Sequence, residues 1–209
     1  MVTAYRANPS VIVRRYRQRR LGLVVIGLLL TVAGFYSHAR HRDYASELQG
    51  QYVIVDQVLH GDRVRIRTPD HRLEEVSLKG IDAPELSPAG QPPAHFASQA
   101  KQYLHQRIDG KKVVLRFEGT QRRDPDGRLI AYVYLNDNEC INLSLVHYGY
   151  AYVDRRQTGY LSSRMGQAEA EARRKQRGLW KDLTPEQMPE WRRNWLKTRL
   201  LRNKSENED

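Results

Sequence analysis

The stretch Tyr52–Glu85, YVIVDQVLHGDRVRIRTPDHRLEEVSLKGIDAPE, decides the fold. Tyr52–Leu59, Val64–Thr68 and Leu73–Leu78 are short runs rich in Val, Ile and Leu, parted by polar turns, which is the pattern of antiparallel strands. Downstream, Ala94–Ile108 follows the breaker pair Pro92-Pro93 and places Phe96, Ala97, Ala100, Tyr103, Leu104 and Ile108 at helical spacing, which predicts an amphipathic helix. Lys112–Glu118 and Leu129–Leu135 alternate as strands about a turn containing Pro125-Asp126-Gly127. Ile141–His147 reads as a short helix ending near Gly149, and Ser162–Gln176 as a longer one stopped by Gly178. Three strands, a helix, two strands and further helices predict an α+β domain, mainly a five-stranded β-barrel of oligonucleotide-binding type with helices packed on it.

Upstream, Leu21–Phe35 is uncharged and, with Tyr36 and Ser37, just long enough to cross a bilayer as one helix. The RRYRQRR block at 14–20 outweighs Arg40 and Arg42. The positive-inside rule therefore keeps the N-terminus in the cytoplasm and exports the remainder to a periplasmic or extracellular space. Small residues around Ser37-His38-Ala39 leave open cleavage after Ala39 and secretion. The long basic and apolar segments favour an uncleaved anchor, and an Arg-rich, acid-free leader would also suit a mitochondrial membrane protein in a eukaryotic source. The expected plan is a basic segment (1–20), a transmembrane helix or signal anchor (21–37), a linker (38–50), the barrel domain (51–183), and a basic, tryptophan-containing helix with an acidic end (184–209).

Eight of the chain's excess positive charges are arginines in residues 1–42, which hold no Lys, Asp or Glu, so the +11 total leaves only +3 for the rest. The basicity thus belongs mostly to topology, and it does not by itself argue for nucleic-acid binding. Cys140 is the only cysteine, which excludes an intramolecular disulfide and reads as a small buried hydrophobe. The scattered histidines do not make a zinc site. In the tail, Trp191 and Trp195 sit among Arg192, Arg193, Lys197 and Arg199; they either dock on the domain or lie on a membrane or partner surface. No part of the pattern specifies an oligomeric state.

Three acidic loops and an arginine carry the chemistry: Gly61-Asp62, Gly80-Ile81-Asp82-Ala83-Pro84-Glu85 and Asp124-Pro125-Asp126-Gly127-Arg128. Phosphodiester hydrolysis needs positive charge on the phosphoryl group, a base for water and help for the leaving oxygen. Asp62 and Asp82 could hold a hard cation, Ca²⁺ or Mg²⁺, through oxygen. Glu85 could deprotonate a water, and Arg128 could grip a phosphate oxygen with its guanidinium fork.

These residues, in this order and spacing from about Tyr52 to Trp180, resemble the staphylococcal-nuclease-like (thermonuclease) family. So do Asn142-Leu143-x-Leu145-Val146-x-x-Gly149-x-Ala151 and Gly178-Leu179-Trp180. The resemblance implies a barrel that cleaves DNA and RNA with calcium, low sequence specificity and in-line attack of water. It implies calcium ligation by Asp62, Asp82 and the Ala83 carbonyl, with catalytic roles for Glu85 and Arg128. Departures accompany it. Ser77 stands where the family has a second phosphate-binding arginine, and Lys79 and Arg63 are the candidate substitutes. His60 and Arg63 flank Gly61-Asp62 where an acid and a threonine are usual, and Asp126 replaces a tyrosine. Arg122 and Arg123 are further candidate backbone contacts. A catalytically weakened or inactive nucleic-acid-binding or protein-interaction module is the alternative. Tyr150 and Tyr152 could stack on bases, but tyrosines alternating on a strand more often pack.

Overall fold

The computed structural model describes residues 25–32, 34, 44–87 and 92–205. The chain divides into two compact units at Ser46/Glu47. In the first, residues 25–32 are helical. Among the described residues no helix is long and apolar enough to cross a membrane. Residues 21–24, 33 and 35–37 of the expected 21–37 segment, the basic block before it and Ala39 lie outside the described residues.

The second unit is built on β1 (Tyr52–His60), β2 (Arg63–Arg67), β3 (Leu73–Leu78), β4 (Ile81–Asp82), α1 (Ala97–Ile108), β5 (Lys112–Arg116) and β6 (Leu129–Asn136). β7 (Glu139–Cys140), α2 (Ile141–His147), β8 (Tyr152–Val153), α3 (Ser162–Arg174) and α4 (Glu190–Ser205) complete it. The sheet runs β3-β2-β1-β5-β6-β7, and β3 also pairs with β6. That extra pairing closes five strands into the expected barrel, which with its helices fits the α+β oligonucleotide-binding type.

Alternation along the strands explains why the barrel has an apolar inside. Val53, Val55 and Val58 of β1, Val64 and Ile66 of β2, Val76 and Leu78 of β3, and Val113 and Leu115 of β5 are all buried. The period of two breaks between Val55 and Val58, where the β1–β2 register shifts. A bulge there bends β1 and adds the twist that closure of so small a barrel requires. α1 buries Ala97, Ala100, Leu104 and Ile108, the stripe its spacing predicted. The two-residue strands β4 and β8 have no sequence signature at that length, yet they pair Ile81 with Val153 and Asp82 with Tyr152.

The closing seam is parallel and short, Val76–Leu78 against Leu129–Ala131. Asn142, fully buried at the start of α2, stitches it from behind. Its Oδ1 accepts from the Val133 N–H at 2.9 Å, and its Nδ2 donates to the Lys79 carbonyl at 3.0 Å and the Ala131 carbonyl at 3.3 Å. A second tight contact lies behind α2, where Gly149 (φ +75) and Gly178 (φ +54) meet backbone to backbone. A Cβ at Gly149 would stand 2.3 Å from the Arg177 carbonyl oxygen, so the Gly178-Leu179-Trp180 turn can approach only glycine there.

Asn142→Leu keeps the branched outline but strands a buried N–H and removes the partner of two carbonyls. It should lower unfolding stability by about 3 kcal/mol, measured by urea unfolding. A loss under about 1 kcal/mol would show that the seam does not depend on this amide.

Candidate active site

β4 leaves the barrel with Asp82, and the Ala83-Pro84-Glu85 turn follows at once. Gly61 brings the β1–β2 turn against this corner: a Cβ there would lie 2.8 Å from both the Ala83 and the Ala100 methyl groups. That close approach places Asp62 beside the turn, where its Oδ2 accepts the Ala83 N–H at 3.0 Å. Asp82, Ala83, Pro84 and Glu85 form one wall of a cavity of about 530 Å³. Tyr152, Arg156 and the segment from Gln187 to Trp191 form the other.

Both aspartates are held away from water. Burial raises the Asp62 carboxyl above the ordinary range, against the opposing pull of the Ala83 N–H and the Arg63 and His60 charges. Burial also pushes Asp82 up to about 6, opposed by the Trp191 hydrogen bond and the Arg156 charge and assisted by the Asp62 charge. Trp191 donates from Nε1 to Asp82 Oδ2 at 2.8 Å. Arg156 reaches Asp82 Oδ1 only at 3.9 Å, while its Nε is bound to Asp154 at 2.8 Å. The pair is therefore short of positive charge.

The remaining candidates divide. Glu85 is exposed on the cavity wall. Arg63 lies directly across the ladder from Ser77, so the two side chains are neighbours on one face. Its Nε is buried without a hydrogen-bond partner among the described residues. Lys79 is turned elsewhere, with Nζ 3.9 Å from Glu118. Arg123 is spent on a two-pronged contact with Glu74 at 2.9 and 3.2 Å, and Arg122 reaches the Gly119 carbonyl at 3.4 Å. Arg128 does not line the cavity. Its Nε binds Asp124 at 2.6 Å, and its Nη2 binds Asp126. Burial alone would lower the Arg128 pKa, but those two acids raise it on balance. Tyr150 stacks on Tyr103 at 4.1 Å and Tyr152 is buried against Trp180, so both pack.

Asp62, Asp82, the Ala83 carbonyl and Glu85 are hard oxygen donors, the kind that suits Ca²⁺ or Mg²⁺, and two half-buried acids with raised pKa values favour a cation beside them. The donor set fits in kind. Its side chains are not closed into a cage: among the described residues no group of three His, Cys, Asp or Glu stands ready to hold a metal. Asp62 is not part of the cavity wall, and Trp191 occupies one Asp82 oxygen. Sequence reasoning did not assign Trp191 and Arg156 to this site. The tryptophan lies more than a hundred residues from Asp82, and only its place in a basic, aromatic helix marked it.

Because the folded-state pKa of Asp82 is raised, its protonated form favours folding below the unfolded value. That contribution is lost as pH rises through about 6. With its side chain 24% exposed, the discounted effect is about 2 kcal/mol. In chelator, Asp82→Asn should therefore be more stable than the parent by about that amount at pH 8, and the gain should vanish near pH 4. Thermal unfolding across pH checks this, and a gain independent of pH would refute it.

The sequence model described as staphylococcal nuclease homologue matches residues 75–182. The chain is 29% identical to an uncharacterized protein of Bacillus anthracis, covering 70% of this chain and 73% of that one. It is 32% identical to an uncharacterized endonuclease of Haemophilus influenzae, covering 66% and 71%. To the thermonuclease of Staphylococcus intermedius it is 26% identical, covering 76% of this chain and 95% of that one. With a barrel of the right type and more than half its length matched, the chain belongs to the staphylococcal nuclease homologue family.

Proposed function

We propose that this chain is a divalent-metal-dependent nuclease that hydrolyses phosphodiester bonds of DNA, RNA or both with low sequence specificity. In this reading a segment at residues 21–37 anchors it to a membrane, its N-terminus is cytoplasmic, and the barrel domain (51–183) is exported. The observation that carries the reading is the undercompensated Asp62–Asp82 pair beside an open cavity walled by Glu85, in a chain whose relatives are named as nucleases.

Asp62, Asp82 and the Ala83 carbonyl would hold the cation, Ca²⁺ first and Mg²⁺ as the alternative. When bound, the ion supplies positive charge at the phosphoryl oxygens. The chain's own residues do the rest. Glu85, exposed on the wall, takes a proton from the attacking water. Arg63, placed opposite Ser77, offers the guanidinium fork that the family carries on the neighbouring strand. It does so better than Lys79, which is drawn to Glu118. Arg128 must leave one of its two carboxylates to reach a phosphate, so its transition-state contribution is diminished. That pairing is the observation favouring a weakened or non-catalytic binding module as the second reading.

The full-length chain in detergent, given single- and double-stranded DNA and RNA with Ca²⁺, Mg²⁺ or chelator, should cleave only with a divalent ion. Glu85→Gln should lower turnover about 10²–10⁴-fold and Arg63→Ala about 10²-fold, with Lys79→Ala close to the parent. Cleavage no greater than that of Glu85→Gln on every substrate would overturn the enzymatic reading. Asp126→Asn should free one side of Arg128 and raise turnover about tenfold or more. An unchanged rate would show that this pairing does not limit catalysis.

A further inference from the structure

α4 lies beyond the segment that defines the family, and it is fastened down firmly. Arg192 is buried, its Nη1 on Glu169 at 2.9 Å and its guanidinium over the Tyr152 and Trp180 rings at 4.9 and 5.0 Å. Glu169 also accepts from the Val153 N–H at 2.8 Å and from Arg155 at 2.9 Å. So its negative charge is fully engaged. The fastening fixes two tryptophans one helical turn, about 6 Å, apart along α4.

Each tryptophan carries arginine. Arg156 lies over Trp191 at 4.6 Å in the cavity of the candidate active site. One residue earlier, Arg155 lies over Trp195 at 5.4 Å, and Arg199 approaches the same ring at 5.4 Å. Trp195 opens into a second cavity of about 450 Å³, lined by Arg155, Arg173, Arg199 and the Ser162 and Ser163 hydroxyl-bearing start of α3. The Arg155 Nε is buried there with no hydrogen-bond partner among the described residues. Serine hydroxyls at one end and three guanidinium groups around it suit a phosphate. The ring between them suits a base.

We propose that Trp191, Arg156, Arg155, Trp195 and Arg199 form a track that binds a single nucleic-acid strand and leads it between the second cavity and the Asp82–Glu85 site. Phosphates pair with Arg199 and with the Arg155 Nε, while Arg156 stays on Asp154 and lends its charge, and one base stacks at Trp195. The track rests on the nuclease reading of the neighbouring site, but it is tested by binding alone. A strand held beside a site that does not cut, and cutting without the track, therefore give different results.

The probe is a fluorescein-labelled oligothymidylate of about twelve nucleotides, titrated by anisotropy into the full-length chain in detergent with chelator at several salt concentrations. Trp195→Ala should weaken binding about tenfold, with Trp195→Phe restoring most of it. Arg199→Gln, an exposed substitution that leaves the core untouched, should lower the slope of log affinity against log salt by about 0.7. Arg174→Gln, exposed on α3 outside the cavity, should change neither. Parent-like affinity and slope in both Trp195→Ala and Arg199→Gln would overturn the track. So would loss of binding to phosphatidylserine-containing vesicles in Arg199→Gln with oligonucleotide affinity intact, which would mark the surface as a lipid-headgroup site.

Discussion

Closure of the barrel across β3 and β6 is the constraint on which the rest depends. Three residue pairs in parallel register join strands about fifty residues apart in the chain, and a parallel seam so short gives little pairing energy of its own. Asn142 compensates by tying a carbonyl beyond β3, a carbonyl of β6 and an N–H of β6 to one rigid amide. Its donor and acceptor capacities are met, which is what makes a buried polar group stabilising rather than costly. With the seam fixed, Gly80 and β4 start from a defined place, and Asp82 emerges at the barrel rim beside Asp62.

The rim then works by withholding compensation. Two carboxylates brought close in a partly dry setting are expensive unless positive charge arrives. The fold keeps its arginines engaged or at a distance: Arg156 on Asp154, Arg128 on Asp124 and Asp126, Arg123 on Glu74. Trp191 contributes one neutral donor and no charge. Charge deficit, cavity and an exposed Glu85 occur together at one corner.

Much of this was legible in the residues. Strands β1, β2, β3, β5 and β6 and helices α1, α2 and α3 follow hydrophobic periodicity, and the structure places them within a few residues of the expected bounds because alternation and helical spacing are set by burial. β4 and β8 were not legible, since two residues carry no period. Yet they decide where Asp82 points. Arg128 shows the other limit: its place in an Asp-x-Asp-Gly-Arg turn was plain, but only coordinates reveal that both acids of that turn close on its guanidinium. Ser77 and Arg63 show the reverse case. The apparent loss on β3 has an arginine facing it on β2, and a register of antiparallel strands was needed to see it.

The docking of α4 changes more than the shape of the cavity. Glu169 is desolvated, which alone would raise its pKa, yet the Arg192 charge and hydrogen bond, the Val153 N–H and Arg155 hold it below the ordinary glutamate value. Its contribution to folding is therefore present at neutral pH and lost on acidification. Without α4 the same carboxyl loses the Arg192 charge and hydrogen bond, which come from twenty-three residues further along the chain. Its pKa then moves up from the lowered value, and the acid-labile stabilisation that it gives shrinks. Whether the helix is seated is thus written into the acid response of a residue on a different helix.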